Sequence, residues 1–354
     1  MNWSTGPHAQ TFGSEHMEQS VAGQADRARI VTLTMNPALD ITSNVDVVRP
    51  TRKLRCESPR YDPGGGGINV ARIAHVLGAP VLAVFAVGQP AGGLITRMLR
   101  AAGVPYDEVP IAGSTRESFT VNETSTGEQY RFVLPGPHLT VAEQTECLDR
   151  LRKAASSAEF VVASGSLPPG VPADIYQRVA DICGQVGARL ILDTSREALQ
   201  QTSSGVFLLK ASARELRECV GRELATEPEL LAAAHELIET GRTEVVVVSL
   251  ADQGALLVTR DESHRFAAVP MPPGSGVGAG DAMVAAITVG LSRGWSFVEA
   301  VRLGIAAGAA MLMTPGTAAC EREDVETLFE KVAEPIQIAD ASAGALEDVG
   351  TFGH

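Results

Sequence analysis

Segments that predict β-strands alternate along this chain with segments that predict α-helices. The strand segments at 81–87, 159–163 and 245–250 are nearly continuous apolar runs. A strand that is apolar on both faces needs cover on both faces, and helical crossovers between such strands supply it. The alternation therefore predicts an α/β fold with three layers, α/β/α, around a mostly parallel sheet. Folds of this class bind ligands at the carboxyl ends of their strands.

Composition restricts the function classes further. The chain has 354 residues, of which 45% are hydrophobic, and its five cysteines are widely spaced without a Cys-x-x-Cys pair. This spacing indicates neither a zinc site nor a disulfide framework. No run of eighteen apolar residues and no apolar signal core near the N-terminus is present, so we expect no membrane segment and a cytoplasmic location.

Charge is distributed unevenly. The net charge is −13, and residues 321–354 alone contain nine acidic residues against two basic ones. This balance argues against nucleic acid as a partner. Residues 1–28 are polar without periodicity and predict a disordered extension, and residues 335–354 predict a flexible acidic tail. Between them we expect one domain over residues 29–334.

A run of four glycines, Gly64 to Gly67, leads directly into an amphipathic stretch over residues 68–77. Four glycines are too flexible for the middle of a core strand or helix. A flexible linker is the alternative, but linkers are rarely followed at once by a helix. The pattern favours a turn whose backbone N–H groups bind an anion or a polyol at a helix start.

A second glycine-rich stretch, Ser275 to Asp281, precedes an apolar segment that ends near Gly294. The apolar segment predicts a buried helix. The free N–H groups at its start would bind an anion, and Asp281 would act as a general base towards a hydroxyl that attacks a phosphate. Taken alone, this short motif is more typical of a turn and a helix cap.

Three other features have two interpretations each. Asp40 follows the first strand at 29–34, where it could contact a ligand or stabilise a turn. Arg116 and Arg131 lie on a predicted hairpin at 117–133 and could bind a phosphate ester or face solvent. Ser166 belongs to a small polar loop after the strand at 159–163, in the position of a ligand-binding loop.

Both glycine motifs together resemble the PfkB family of sugar kinases, which has the ribokinase-like fold. The resemblance covers about residues 29–320. It is closest to the phosphosugar kinases of the family, namely the minor 6-phosphofructokinases, 1-phosphofructokinases and tagatose-6-phosphate kinases. The segments that carry it are Leu33 to Asp40, Lys53 to Cys56, Pro63 to Arg72, Gln129 to Phe132, Ser164 to Gly170, and Gly276 to Met283.

The resemblance implies an ATP- and Mg²⁺-dependent kinase, most similar to those that convert fructose 6-phosphate to fructose 1,6-bisphosphate. Asp281 would be the catalytic base, and the N–H groups of Gly278, Ala279 and Gly280 would hold the γ-phosphate. The implied sugar and sugar-phosphate ligands are Asp40, Lys53, Gly65, Asn69, Arg116, Arg131 and Ser166. The implied ATP ligands are Lys210, Ser249, Gly254, Gly278 and Gly280. Glu215 would act on Mg²⁺ through water, and Ser275, Val277 and Gly316 would hold a monovalent cation such as K⁺.

The resemblance also implies a β-lid from segments near 41–61 and 112–136, through which two chains would form a homodimer. The sequence departs from the family pattern at Ser212, where Asn is usual, at Ala251, where Gly is usual, and at Gly276, where Thr is usual. These departures keep two alternatives open. The substrate would be tagatose 6-phosphate or fructose 1-phosphate, or the chain would be a decayed kinase that senses a sugar phosphate.

Overall fold

The computed structural model describes residues 29–272, 274–314 and 316–338. Its main sheet has ten strands in the order β14-β13-β12-β11-β10-β9-β8-β1-β4-β5. The seven strands from β11 to β5 are parallel, and β12, β13 and β14 extend the sheet with antiparallel pairing. The strands are β1 Ile30–Thr34, β4 Val81–Val87, β5 Tyr106–Pro110, β8 Phe160–Ser164, β9 Arg189–Asp193, β10 Val206–Ser212, β11 Thr243–Ser249, β12 Ala255–Val258, β13 Ser263–Phe266 and β14 Ile336–Ile338.

Helices cover both faces of this sheet and form two separate apolar cores with it. One layer contains α1 Gly66–Val76, α2 Ala91–Ala101, α8 Ala279–Ser292, α9 Phe297–Met311 and α10 Arg322–Phe329. The other layer contains α3 Val141–Ala155, α4 Ile175–Val186, α5 Arg196–Gln200, α6 Ala213–Val220 and α7 Glu227–Glu239. The structure thus confirms the three-layer fold that the alternating pattern predicts.

A smaller sheet of four strands, in the order β3-β2-β6-β7, stands apart from the main sheet. Its strands are β2 Ala38–Val45, β3 Arg60–Gly64, β6 Arg116–Glu123 and β7 Gln129–Val133. Residues in register point to the same face, so one face carries the side chains of Asp40, Asp62, Asn122 and Arg131, and is polar. The opposite face carries Ile41, Tyr61, Phe119, Val121 and Phe132, and is apolar. We call this sheet the lid.

Local sequence signals account for several helix ends. Thr140, Ser212 and Thr226 each accept a hydrogen bond from the N–H three residues on. The glutamate at that position accepts one from the N–H of the capping residue, so all three start a helix with a capping box. Helix α8 differs, because its first residue follows Gly278 in a left-handed conformation and has no side-chain cap. Its N-terminus is left open for another partner.

Three predictions about the elements are wrong in detail. Asp40 was expected in a loop but lies within β2, because the chain turns at Asn36 and Pro37 and enters the lid at once. The lid segment expected near 41–61 is not one continuous strand, because it contains the end of β2, the start of β3 and a long connection between them. Residues Ile336–Ile338, expected in the flexible tail, pair with β13 as an edge strand. The predicted N-terminal extension and the remainder of the tail lie outside the described residues. Within the described part of the chain, no helix is both long and apolar enough to span a membrane.

Candidate active site

A row of polar side chains marks the carboxyl edge of the main sheet. Strand register places Ser164 of β8 beside Asp193 of β9, and Asp193 is adjacent in register to Lys210 of β10. Residues in register share a face of the sheet, and this face is the one on which α8 packs. These three residues line one cavity of about 270 Å³ together with Ser166, Glu215 and Asp281. The backbone of Gly278 and Gly280 completes its wall.

The four-glycine run joins lid strand β3 to helix α1. Gly65 has a φ of +111°, which only glycine adopts without strain. A Cβ on Gly66 would lie 2.2 Å from Ser164 Oγ, so the start of α1 can approach the sheet edge only without a side chain. The run is therefore neither a linker nor a flexible turn. It brings Asn69, in the first turn of α1, to the cavity, where its Nδ2 donates to Asp281 Oδ2 (2.9 Å).

The N-terminus of α8 faces the same cavity and matches the predicted anion site in part. The N–H of Ala279 donates to the Gly276 carbonyl (3.2 Å), so it is already paired, contrary to the prediction. Among the described residues, the N–H groups of Gly278, Gly280 and Asp281 have no protein acceptor. Unpaired N–H groups at the positive end of a helix dipole bind anions. The N–H of Asp281 is therefore available to an anion, in place of the N–H of Ala279 that the sequence analysis named.

Asp281 has an unusual proton affinity. Burial and the nearby carboxylate of Asp193 raise its pKa from 3.8 to about 7, while the hydrogen bond from Asn69 and the charge of Lys210 act in the opposite direction. Ser164 Oγ is a further, longer donor to Asp281 Oδ1 (3.4 Å). A carboxylate whose pKa lies near neutral pH accepts and returns protons readily. The turn-and-cap interpretation fails here, since Asp281 makes no cap hydrogen bond in α8.

Lys210 and Asp193 form a buried ion pair, with Nζ 3.3 Å from Asp193 Oδ1. Burial raises the pKa of Asp193, and Lys210 offsets part of that effect. Lys210 also lies close to the start of α8, since a Cβ on Gly280 would be 2.8 Å from its Nζ. The prediction that Lys210 belongs to the site agrees with this position. Sequence reasoning missed Asp193, although a carboxylate that ends a buried strand at this edge was a usable signal.

Ser212 and Glu215 explain one departure from the family pattern. Ser212 is the N-cap of α6, and its Oγ donates to Glu215 Oε2 (2.7 Å) while accepting from the Glu215 N–H (3.2 Å). Serine and asparagine are about equally good N-caps. Ser212 therefore preserves the helix start that presents Glu215 to the cavity, and this departure does not indicate a decayed site.

At the other end of the cavity, the polar face of the lid meets the Ser166 loop. Asn36 Nδ2 donates to Ser166 Oγ (3.2 Å), and Arg116 Nη2 donates to the Asn36 carbonyl (3.3 Å). Arg116 Nε is buried and has no acceptor within the described part of the chain. Burial raises the pKa of Asp40, and the charges of Arg116 and Arg131 counteract it, so both arginines lie near this carboxylate. Asn36 was not among the predicted site residues.

Other predicted residues are not brought into the cavity. Lys53 is exposed on the connection between β2 and β3. Ser249 ends β11 in register with Ser212, and Gly254 follows a 3₁₀ turn at Ala251–Gln253. Ser275 Oγ contacts the Gln129 side chain of β7, whereas Gly316 lies against Asp62 and Thr42. Among the described residues, no hydrogen bond joins Ser275 to Gly316, so the monovalent-cation site at Ser275, Val277 and Gly316 stays a prediction.

The two remaining departures have different structural consequences. Ala251 has a φ of +54°, in the region where residues with a side chain are strained. Alanine at this position, where glycine is usual in the family, therefore carries backbone strain. Gly276 is different, since the nearest atom to a Cβ at this position is Leu312 Cδ2 at 4.0 Å. Nothing in the packing of Gly276 requires glycine.

Comparisons with known proteins agree with this geometry. Residues 33–324 match the profile of the pfkB family carbohydrate kinases. The chain is 70% identical over 322 residues to ATP-dependent 6-phosphofructokinase isozyme 2 of Mycobacterium tuberculosis, covering 91% of this chain and 95% of the relative.

Crystal structures of Escherichia coli phosphofructokinase-2 in complex with fructose-6-phosphate and with potassium superimpose with TM-scores of 0.81 and 0.82. Their identities to this chain are 36% and 37%, and each covers 86% of this chain and 99% of its own. The same Escherichia coli protein has also been solved in a tetrameric inhibited form. The resemblance found in the sequence is confirmed.

Proposed function

Because the chain belongs to the pfkB family of carbohydrate kinases, we propose that it transfers the γ-phosphoryl group of ATP to the 1-hydroxyl of fructose 6-phosphate. The products are fructose 1,6-bisphosphate and ADP. The identity of 70% to a relative named as a 6-phosphofructokinase supports this substrate. The observation that carries the proposal is the position of Asp281, a carboxylate with a pKa of about 7 at a helix N-terminus with unpaired N–H groups.

Asp281 serves as the general base. The 1-hydroxyl oxygen attacks the γ-phosphorus in line, its proton moves to a carboxylate oxygen of Asp281, and the bond to the bridging oxygen of ADP breaks. The hydrogen bond from Asn69 fixes the carboxylate before the sugar arrives. A pKa near 7 leaves a large fraction of the carboxylate unprotonated at neutral pH while keeping it basic enough to accept the proton.

Charge stabilisation comes from the start of α8 and from the sheet edge. The N–H groups of Gly278, Gly280 and Asp281 are placed to donate to the γ-phosphoryl oxygens, on which charge accumulates during transfer. Lys210 adds a positive charge at the same edge.

The carboxylates of Asp193 and Glu215 would hold Mg²⁺, because this ion prefers oxygen ligands. When bound, it neutralises phosphate charge. Glu215 already accepts two hydrogen bonds from Ser212 through Oε2, so Oε1 is the oxygen that would act on Mg²⁺ through water.

The polar face of the lid binds the phosphosugar in this proposal. Arg116, with its unpaired Nε, and Arg131 on the same face provide cations for the 6-phosphate, and Ser166 provides a hydroxyl donor. Lys53 would reach the phosphate from its exposed connection. Asp40 and the backbone at Gly65 bind sugar hydroxyls.

The apolar face of the lid supports a homodimer. Tyr61, Phe119 and Phe132 are 45%, 36% and 55% exposed on it. Large apolar side chains grouped on one exposed face are typical of a protein interface. A second copy of the lid would bury them, and sedimentation velocity of the full chain tests this. A monomer at micromolar concentration would reject the dimer, and a tetramer would require a second interface.

The first experiment is a coupled assay of ADP release with Mg-ATP and each of four acceptors: fructose 6-phosphate, fructose 1-phosphate, tagatose 6-phosphate and fructose. Asp281→Asn is the blank. We expect turnover on fructose 6-phosphate that disappears in the blank, and K⁺ in place of Na⁺ tests the proposed cation at Ser275, Val277 and Gly316. No turnover on any phosphosugar, together with a higher melting temperature in its presence, would favour the sensor over the kinase.

A further inference from the structure

Arg72 is a buried arginine beside the catalytic cavity that the mechanism above does not use. It lies in α1, and its side chain is 11% exposed. Its Nη1 donates to the carbonyls of Pro63 and Thr317, both at 2.8 Å. Its Nη2 lies 3.8 Å from Asp62 Oδ1. The guanidinium is thus held from two directions, by lid strand β3 and by the segment that follows α9.

The same Nη1 also contacts the neighbouring turn of α1, where it lies 3.4 Å from Asn69 Oδ1. The other half of that amide, Nδ2, donates to Asp281 Oδ2 (2.9 Å). If the amide were reversed, its NH₂ would face the guanidinium, donor against donor, and its oxygen would face the Asp281 carboxylate. The fixed guanidinium therefore leaves the amide of Asn69 one favourable orientation.

We propose that Arg72 is a positioning residue for phosphoryl transfer: it holds the Asn69 amide so that the NH₂ group always faces the general base Asp281. This inference rests on the proposed function, because it concerns the same base. The positioning chain runs from Asp62 through Arg72 and Asn69 to Asp281. A buried guanidinium without partners would be costly, and the partners that compensate Arg72 come from outside α1.

The groups around this chain determine what its loss does. Asp281 faces Asp193 of β9, Lys210 of β10, Ser164 of β8 and Asn69. The guanidinium of Arg72 faces Asp62, Asp40 and Arg60. Among the groups that face Asp281, the Asn69 amide lowers the pKa of the base by hydrogen bonding to its charged form. A freely rotating Asn69 amide would donate less often, so the pKa of Asp281 would rise.

The test compares Arg72→Lys with the matched control Arg97→Lys, which makes the same change on the exposed surface of α2. Lysine keeps the positive charge opposite Asp62 but lacks the planar fork that reaches several acceptors at once. We expect the acid limb of the pH profile of kcat to shift to higher pH by about half to one unit in Arg72→Lys, and not in Arg97→Lys. At pH 6.5 kcat should fall about three- to tenfold, and at pH 9 it should stay within about twofold.

Two further measurements separate this inference from a general loss of structure. In an Asn69→Ala background, Arg72→Lys should move the limb no further, because Arg72 acts through that amide. The carboxyl ¹³C signal of Asp281, followed by titration in protein labelled at aspartate, reports the same shift without any turnover. It therefore still tests the inference if the protein proves not to be a kinase for any acceptor tried.

The proposal is overturned if the acid limb and the Asp281 titration stay in place in Arg72→Lys. It is equally overturned by a loss of kcat that is the same at every pH, which would indicate a purely structural role. Arg72→Gln is the second variant if Arg72→Lys does not fold. Failure of both to fold would assign Arg72 to fold stability and reject the positioning role.

Discussion

Replacing Asp281 with asparagine should abolish turnover and at the same time stabilise the fold at alkaline pH. In the unfolded chain this carboxyl ionises near pH 3.8, whereas in the fold it retains its proton up to a pKa of about 7. The ionised carboxylate of Asp281 therefore lowers the free energy of unfolding. The cost is absent below pH 3.8, grows as pH rises, and is complete above about pH 7. Asn cannot ionise, so the variant avoids this cost.

The size of the effect follows from the shift. Each pKa unit corresponds to 1.36 kcal/mol, so a shift of this size corresponds to about 4 kcal/mol above pH 7. Asp281 remains partly open to the cavity, and solvent screening there reduces the figure to about 2 kcal/mol. For a domain of this length that is a rise in melting temperature of about 3 °C. At pH 5 only about a third of the gain should remain, because most of the pKa interval lies above that pH.

Scanning calorimetry of the wild type and Asp281→Asn at pH 8 and pH 5 measures the gain, and ADP release measures turnover. Asp149→Asn, an exposed site on α3, is the control for removing one negative charge. Turnover should fall by a factor of about 10³ or more in Asp281→Asn. An equal or lower melting temperature at pH 8, or the same gain at both pH values, would refute the electrostatic argument even if turnover is lost.

Three further predictions concern the lid and the nucleotide loop. Arg116→Ala should raise KM for fructose 6-phosphate about tenfold or more in steady-state kinetics and change kcat less, since its guanidinium, with a buried Nε, would bind ground state and transition state alike. An unchanged KM would remove it from the phosphate site. Ala251→Gly should raise the melting temperature by about 1 °C, because relief of about 1–2 kcal/mol of strain exceeds the opposing gain in unfolded-state entropy. A lower melting temperature would contradict the strain. Gln129→Leu breaks the contact between β7 and Ser275, and the KM values for ATP and the phosphosugar should both rise about threefold if this contact links the lid to the loop before α8. Unchanged values of both would show that the contact carries no coupling.

The sequence was sufficient for those features that depend on neighbouring residues. Apolar strands alternating with helices predict the layered sheet, and glycines followed at once by a helix predict an open helix N-terminus. The order strand, loop and helix also places Ser164 and Ser166 at the carboxyl edge of the sheet. Asp281 could be predicted as a base because that prediction needs only a helix start and a carboxylate, both of which are local.

Other features depend on residues distant in sequence that the fold brings together. Asp193 and Lys210 become an ion pair only through the register between β9 and β10. Asp40 enters the lid rather than a loop because β2 finds partners in β3 and β6. The pKa of Asp281 likewise depends on burial and on Asp193, 88 positions earlier in the chain.

The sequence by itself thus determined the fold class and the two glycine-rich turns, because short-range backbone geometry and hydrophobic periodicity are written in adjacent residues. It also predicted Asp281 as the base. The tertiary structure alone decided which charges surround that base, how Arg72 and Asn69 orient towards it, and which face of the lid is polar. These properties arise from strand register, burial and contacts between distant segments, and their energies depend on distance and solvent exposure in the folded chain.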